Sequence, residues 1–203
     1  MITLYHAPQS RSSRMIWLLE EIGAPYTIQP VSIFRPMQGS GQGDPANPHP
    51  DKQVPALDHD GVFLAESVAI ALYLADAFPA AGLAPAMGDK QRGDYLTWIA
   101  WYAAALEPAM FAKFGGELEA NPMKQRSYDA AVRRIEAALA KGPYMLGDEF
   151  SAADLLVGSA LGWARQAFPE SEAMDAYAAR CRARPGALRA VELDGVQGLQ
   201  NAA

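Results

Sequence analysis

The chain has 203 residues, half of them hydrophobic, and a formal net charge of −6. That is enough apolar material for a core in one domain or two small ones, and the acidic balance argues against nucleic acid or anionic membrane as a general partner. A single cysteine, Cys181, precludes an intrachain disulfide and fits a reducing compartment. The first residues lack a signal-peptide pattern and no run of ~18 apolar residues occurs, so a soluble cytoplasmic protein is expected.

Residues 2–5, "ITLY", are short, apolar and partly β-branched and predict a buried strand. After the stretch "APQSRSSRM" (7–15), Met15, Leu18, Leu19 and Ile22 fall on one helical face, and Gly23 and Pro25 end the helix. Residues 26–33 predict a second strand, parallel to the first by the logic of a βαβ unit. Residues 34–52, with four prolines, predict a long loop of the functional kind. "VPAL" (54–57) and "VFL" (62–64) flank Asp60-Gly61, a hairpin signal, and residues 66–78 predict a helix too apolar for an exposed surface.

"PAAGLAPAMG" (79–88) predicts a linker, and no strand is expected beyond it. Tyr95, Trp98, Tyr102 and Ala105 share a helix face, and Glu107-Pro108 is expected to kink or break that helix. Asn121-Pro122 starts a helix that runs to Gly142-Pro143. Ser151 and Asp154 have capping-box spacing, with Phe150 and Leu155 as the staple. One further helix is expected to run from there to about Arg184 and to end at Pro185.

Three hydroxyls, Ser10, Ser12 and Ser13, lie where a strand gives way to a helix, although a helix needs only one cap. Backbone N–H groups without intrahelical partners and the positive dipole end favour an anion there. A nucleophilic serine would need a histidine base backed by a carboxylate; His49 and His59 fall in a loop and a turn, and no G-x-S-x-G elbow occurs. Three scattered histidines and one cysteine give no metal-ligand spacing. The serines therefore suit donation to a thiolate, and with no cysteine nearby the thiol belongs to a small-molecule co-substrate. Two further clusters are Gln53-Val54-Pro55, where a cis bond would turn the Val54 N–H and C=O toward a ligand backbone, and Glu66-Ser67 at a helix start, where capping is the plainer role.

Taken in order, "LYHAPQSRSSRMIWLLEEIGAPY", "NPHPDKQVPAL", "AESVAI" and "GDEFSAADLLVG" resemble the successive motifs of the cytosolic glutathione transferases, in a bacterial-type serine-containing class, over essentially the whole chain. The resemblance implies an α/β N-terminal thioredoxin-like domain over residues 1–78, a linker over 79–88 and an all-α C-terminal domain over 89–203. It implies a transferase of alkyl or aryl groups with glutathione as co-substrate, a hydrophobic electrophile as the other substrate, a detoxification role and a homodimer. Related peroxidase, dehalogenase or isomerase chemistry and a non-catalytic glutathione or ligand carrier are the alternatives. Ser10 is implied as the hydroxyl facing the glutathione sulfur, with Arg11 and Ser12 as second choices. Val54, beside a cis Pro55, would pair with the cysteinyl backbone. Glu66 and Ser67 would hold the γ-glutamyl amine and carboxylate, and Gln53 would reach a carboxylate. A Lys or His of the long loop, such as His49, is the implied substitute anion partner. An electrophile pocket between the domains would draw on Trp98, Trp101, Tyr102 and Phe111, with Tyr95, Met110 and Phe114 on the same stretch.

Overall fold

In β1, Ile2–His6, alternate residues Ile2, Leu4 and His6 face the core and are buried. In the computed structural model, which describes residues 1–200 and the side chains of 1–195, α1 (Ser13–Ile22) follows and buries Met15, Ile16, Leu18 and Leu19. It stops at Gly23, whose φ of 73° is the left-handed conformation that closes helices. β2, Tyr26–Pro30, then pairs in parallel with β1, as the βαβ pattern predicts. It is shorter than expected, because Pro30 has no amide to continue the ladder; the next amide, of Val31, donates to the His6 carbonyl at 2.9 Å.

β3 (Ala56–His59) and β4 (Val62–Ala65) form the expected hairpin. Its two turn residues, Asp60 and Gly61, have φ of 52° and 86°, the paired positive values of a type I′ turn. β3 also pairs antiparallel with β1, so the sheet order is β2-β1-β3-β4. α2, Ser67–Ala77, buries Ile70, Ala71, Leu74 and Ala75.

The chain divides into two units, one of residues 1–81 with the last helix and one of residues 82–184. That last helix, α8 (Pro185–Gln200), packs against α1 within the first unit. The approach is close at Gly186, where an added Cβ would lie 2.9–3.0 Å from the Glu21 side chain. Pro185, expected to end a helix, instead opens one, the position where its missing amide costs nothing. Residues 201–203, the end of the predicted helical module, lie outside the described residues.

The second unit contains α3 (Arg92–Trp101), α4 (Glu107–Phe114), α5 (Pro122–Leu139), α6 (Ala152–Trp163) and α7 (Glu172–Arg182). Between α3 and α4 the helix does not break at Pro108; Tyr102–Leu106 widens to a π-helical turn and Pro108 sits in the first turn of α4. α5 starts as predicted, with the Asn121 side chain accepting from the amides of Met123 and Lys124. The single helix expected to run to Arg184 is two, α6 and α7, separated at Ala164 by a 3-10 turn and restarted at Ser171.

The capping box of α6 is present and does more than cap. The Asp154 carboxylate is wholly buried and accepts from the amides of Met145 (2.7 Å) and Ser151 (3.0 Å) and the hydroxyls of Ser151 (2.9 Å) and Tyr177 (3.2 Å). Burial pushes its pKa up, and these four donors pull it back. Phe150 and Leu155, the staple pair, are both buried. We expect Asp154→Ala to cost on the order of 3 kcal/mol, because it strands several buried donors at once, and Asp154→Asn, which keeps one acceptor oxygen, to cost less. Urea unfolding checks this; a loss for the alanine variant no larger than for the asparagine variant would contradict it.

Candidate active site

The loop from the end of β1 to the head of α1 gathers the three serines, and each hydroxyl has a different employment. Ser12 stands at the N-cap position but its side chain does not cap the helix. It is wholly buried, with Oγ 2.8 Å from His6 Nδ1 and accepting from the Ala7 amide at 3.2 Å. Ser13 Oγ donates to Asp194 of α8 at 2.6 Å and accepts from the Ser10 amide at 3.3 Å. Ser10 is half-buried; its hydroxyl donates to the Ala7 carbonyl at 2.7 Å and lies 2.8 Å from Ser12 Oγ. The expectation that one of these serines caps α1 with its side chain is thus corrected: Ser12 has turned inward to His6.

Asp194 anchors this loop from outside it. Its carboxylate accepts from the Gln9 amide at 3.1 Å and from Ser13, and lies 3.2 Å from His6 Nε2, within ion-pair distance though not aligned for a linear hydrogen bond. Gln9 itself has a φ of 53°, unusual for a residue with a side chain and held by that amide contact. Burial pushes the Asp194 pKa up, but the interactions with His6, Ser13 and the Gln9 amide outweigh it and leave the group below the ordinary aspartate value. Neither His6 nor Asp194 was singled out from the sequence. His6 is visible there only as a polar residue in phase with Ile2 and Leu4, and Asp194 lies 181 residues from Ser13.

Among the ligand-binding candidates, the Val54–Pro55 bond is cis, as the resemblance implied. Pro55 is buried, Val54 half-buried and Gln53 exposed; the Gln53 carbonyl accepts from Asn47 Nδ2 at 2.9 Å. Glu66 is exposed and has φ 68°, ψ 125°, a conformation that residues with side chains adopt at a cost of order 1–3 kcal/mol and that clusters at ligand sites. Ser67 is buried and accepts from Arg14 Nε at 3.2 Å, so the heads of α1 and α2 are tied together. Arg14, which with Arg11 forms a positive spot in the acidic sequence, is itself buried. Arg11 is exposed. His49 is buried, with Nδ1 accepting from the Asp51 amide at 3.1 Å and its own amide donating to Asn47 Oδ1 at 3.0 Å; it shapes the loop.

The aromatic candidates separate into two groups within the second unit. Trp98 and Tyr102 are buried and Trp101 is half-buried, and the Arg134 guanidinium lies 4.5 Å from the Trp98 ring and 4.8 Å from the Trp101 ring. These indoles are faces for a cation, as is consistent with burial lowering the Arg134 pKa, and the expectation that Trp98 and Tyr102 open to a ligand is corrected. Phe111, by contrast, is 38% exposed and joins Phe114 (39%) and Trp163 (54%), with ring centroids 5.5–6.4 Å apart. Trp163 was missed because α6 is so apolar that its last residue reads as core.

The Asp194 contacts predict an acid-dependent stability. A carboxyl whose folded-state pKa lies below its unfolded value adds stability that is fully present above the unfolded pKa, about 4, and lost as pH falls through the folded one. The advantage of the wild type over Asp194→Asn in unfolding free energy is therefore expected to be larger at about pH 5 than at about pH 2. Denaturant titrations at both pH values test this, and an advantage undiminished in acid would refute it.

Comparison with known proteins agrees with this geometry. The glutathione S-transferase N-terminal domain matches residues 1–76 and the glutathione S-transferase C-terminal domain residues 99–183. Glutathione S-transferase GstA of Escherichia coli O157:H7 is 26% identical over 200 residues, covering 96% of this chain and 99% of that one. A crystal structure of a glutathione transferase from Methylococcus capsulatus superposes with a TM-score of 0.77 at 28% identity, covering 97% of this chain and 100% of that one. A sphingomonad glutathione S-transferase complexed with glutathione does so at 0.77 and 29% identity, covering 95% and 98%. With a thioredoxin-like first domain, an all-α second domain and both domain families matched in order, the chain belongs to the cytosolic glutathione S-transferases.

Proposed function

We propose that this enzyme activates the thiol of glutathione at the head of α1 and transfers it to a hydrophobic electrophile, with Ser10 as the hydroxyl that faces the sulfur. The observation that carries this is the division of labour among the serines. Ser12 is buried against His6 and Ser13 donates to Asp194, whereas Ser10, half-buried like Ser13, is bonded only within the loop, to the Ala7 carbonyl and Ser12. A free thiol has a pKa near ~8.5, and lowering it by about two units takes roughly 2.7 kcal/mol of preferential thiolate stabilisation. A hydrogen bond to a charged group supplies ~1.5–3 kcal/mol and the helix end roughly 0.3–1 kcal/mol, so one hydroxyl at this position suffices.

The peptide part of glutathione has matching partners. The Val54 backbone suits the cysteinyl amide, and Glu66 suits the γ-glutamyl amine. Ser67, with Arg14 bound to it, suits the γ-glutamyl carboxylate, and the exposed Gln53 and Arg11 suit the remaining carboxylate. For the electrophile we assign the exposed face of Phe111, Phe114 and Trp163, which suits a planar apolar group. We also propose a cytoplasmic detoxifying role and a homodimer, the commonest oligomer with an isologous interface.

Ser10→Ala is expected to lower turnover ten- to a hundredfold, the equivalent of ~1.5–3 kcal/mol, with little change in glutathione affinity, because the hydroxyl interacts more with the anion than with the thiol. Ser67→Ala weakens binding first, since the γ-glutamyl end keeps its charge through the reaction. In the same assay Trp163→Ala raises KM for an aryl electrophile and leaves the thiol pKa alone. Turnover that survives Ser10→Ala would remove Ser10 from its role. Sedimentation at micromolar concentration is expected to give twice the 21.8 kDa chain mass; a clean monomer would refute the dimer.

A further inference from the structure

His6 is a buried titratable group for which glutathione binding has no use. Its two ring nitrogens are both engaged: Nδ1 lies 2.8 Å from Ser12 Oγ, and Nε2 lies 3.2 Å from Asp194 Oδ1. Ser12 Oγ in turn lies 2.8 Å from Ser10 Oγ. Carboxylate, imidazole and hydroxyl in this order resemble a hydrolytic triad. Yet Ser12 is wholly buried, and its oxygen is enclosed by the Ala7 amide at 3.2 Å and the Ala7 carbonyl at 3.3 Å. No substrate carbonyl reaches it. The array opens instead through the next hydroxyl, Ser10, which is half-exposed.

We propose that His6, acting through Ser12 and Ser10, takes up the proton of the glutathione thiol as the thiolate forms, with Asp194 as the counter-charge; this rests on Ser10 facing the sulfur. The S–H bond breaks as its proton passes to Ser10 Oγ. Ser10, having turned its hydroxyl from the Ala7 carbonyl to Ser12 Oγ, passes its own proton to Ser12, and Ser12 its proton to Nδ1 of neutral His6, whose Nε2–H faces Asp194. Each serine ends as a hydroxyl, one S–H bond has been replaced by one N–H bond, and the products are a thiolate and an imidazolium beside an ionised carboxylate. The hydroxyls emerge re-aimed. Nδ1–H donates to Ser12, Ser12 to Ser10, and Ser10 to the sulfur, where before the transfer Ser10 donated inward to the Ala7 carbonyl. The same chain therefore removes the proton and turns the stabilising donor outward.

The surroundings of His6 suit this. From α8 it meets Asp194, from the head of α1 Ser12, and from the residue after β2 the Val31 amide on its carbonyl. Among the described residues Asp194 is its ion partner. Asp194 also lines a cavity of about 780 Å³ with Gln9, Val31, Arg35 and Asp44, so the far end of the relay reaches water and the proton equilibrates there after turnover. His6 and Ser12 are positioning and relay residues; only Ser10 touches substrate.

The test compares thiolate formed, by ultraviolet absorbance, with protons released, by an indicator dye in weak buffer, when glutathione is added at about pH 8. In the wild type, thiolate is expected with less than one proton released for each, because the protein keeps it. In Ser12→Ala, which cuts the relay, each thiolate is expected to release its proton, and the thiol pKa to rise by about one unit, a tenfold smaller thiolate fraction. His6→Gln is expected to match Ser12→Ala, which carries the test if His6→Gln fails to fold. Wild-type release of one proton per thiolate overturns the relay. If Ser10→Ala raises the thiol pKa and Ser12→Ala does not, the relay falls and Ser10 keeps its role. If Ser10→Ala leaves the thiol pKa unchanged, the assignment of Ser10 fails and the relay with it.

Discussion

One carboxylate, on a helix at the far end of the chain, fixes the loop between β1 and α1. Asp194 takes the Gln9 amide, the Ser13 hydroxyl and the edge of the His6 ring. The segment between β1 and α1, residues 7–12, has one proline and few apolar side chains to hold it. With Asp194, a residue in the left-handed region, a buried serine off its capping position and a half-exposed serine are all held in one arrangement. The cost of burying these polar groups is met because they satisfy one another. α8 therefore holds this loop as well as packing on α1.

The sheet and its helices were legible because local signals agreed with the global arrangement. The short strand 2–5, the apolar face of α1 ended by Gly23, and Asp60-Gly61 between two apolar runs each point to the element that forms. The cis Val54–Pro55 bond followed from resemblance, since base rates favour trans. What was not legible depends on contacts distant in sequence. Nothing near Pro185 says whether it ends one helix or begins another; the answer comes from the docking of α8 on α1. Nothing near Asp194 says that its partners are Gln9, Ser13 and His6. His6 was in view as one of three histidines and was passed over because strand alternation marks it as core, which it is.

The aromatic residues carry a similar lesson. Composition places Trp98, Trp101, Tyr102, Phe111 and Phe114 on one stretch, and helical spacing alone cannot tell which face outward. The π-helical turn at Tyr102–Leu106 changes the phase between α3 and α4, so positions before and after it do not share one face as a regular helix would have them. Arg134, from α5, then claims the two indoles that the eye selects first. The exposed cluster is completed by Trp163, from an element whose hydrophobic run hides its one outward ring.

Cys181, the chain's single cysteine, is buried between α6 and α7, and burial pushes its pKa up to about 12. A Cβ added at Gly158 would lie 2.7 Å from its sulfur, so the packing around it leaves no room for a bulkier oxidised form. Thiol–disulfide exchange and peroxide oxidation both begin with an accessible thiolate, and this sulfur is neither ionised nor reachable. An enzyme that works on glutathione meets glutathione disulfide in the same solution, and a reactive thiol of its own would be captured as a mixed disulfide whenever that pool turned oxidising. With its one sulfur sealed away, the folded protein offers such a pool no thiol to modify, and its activity follows the supply of reduced glutathione and not the history of its own oxidation.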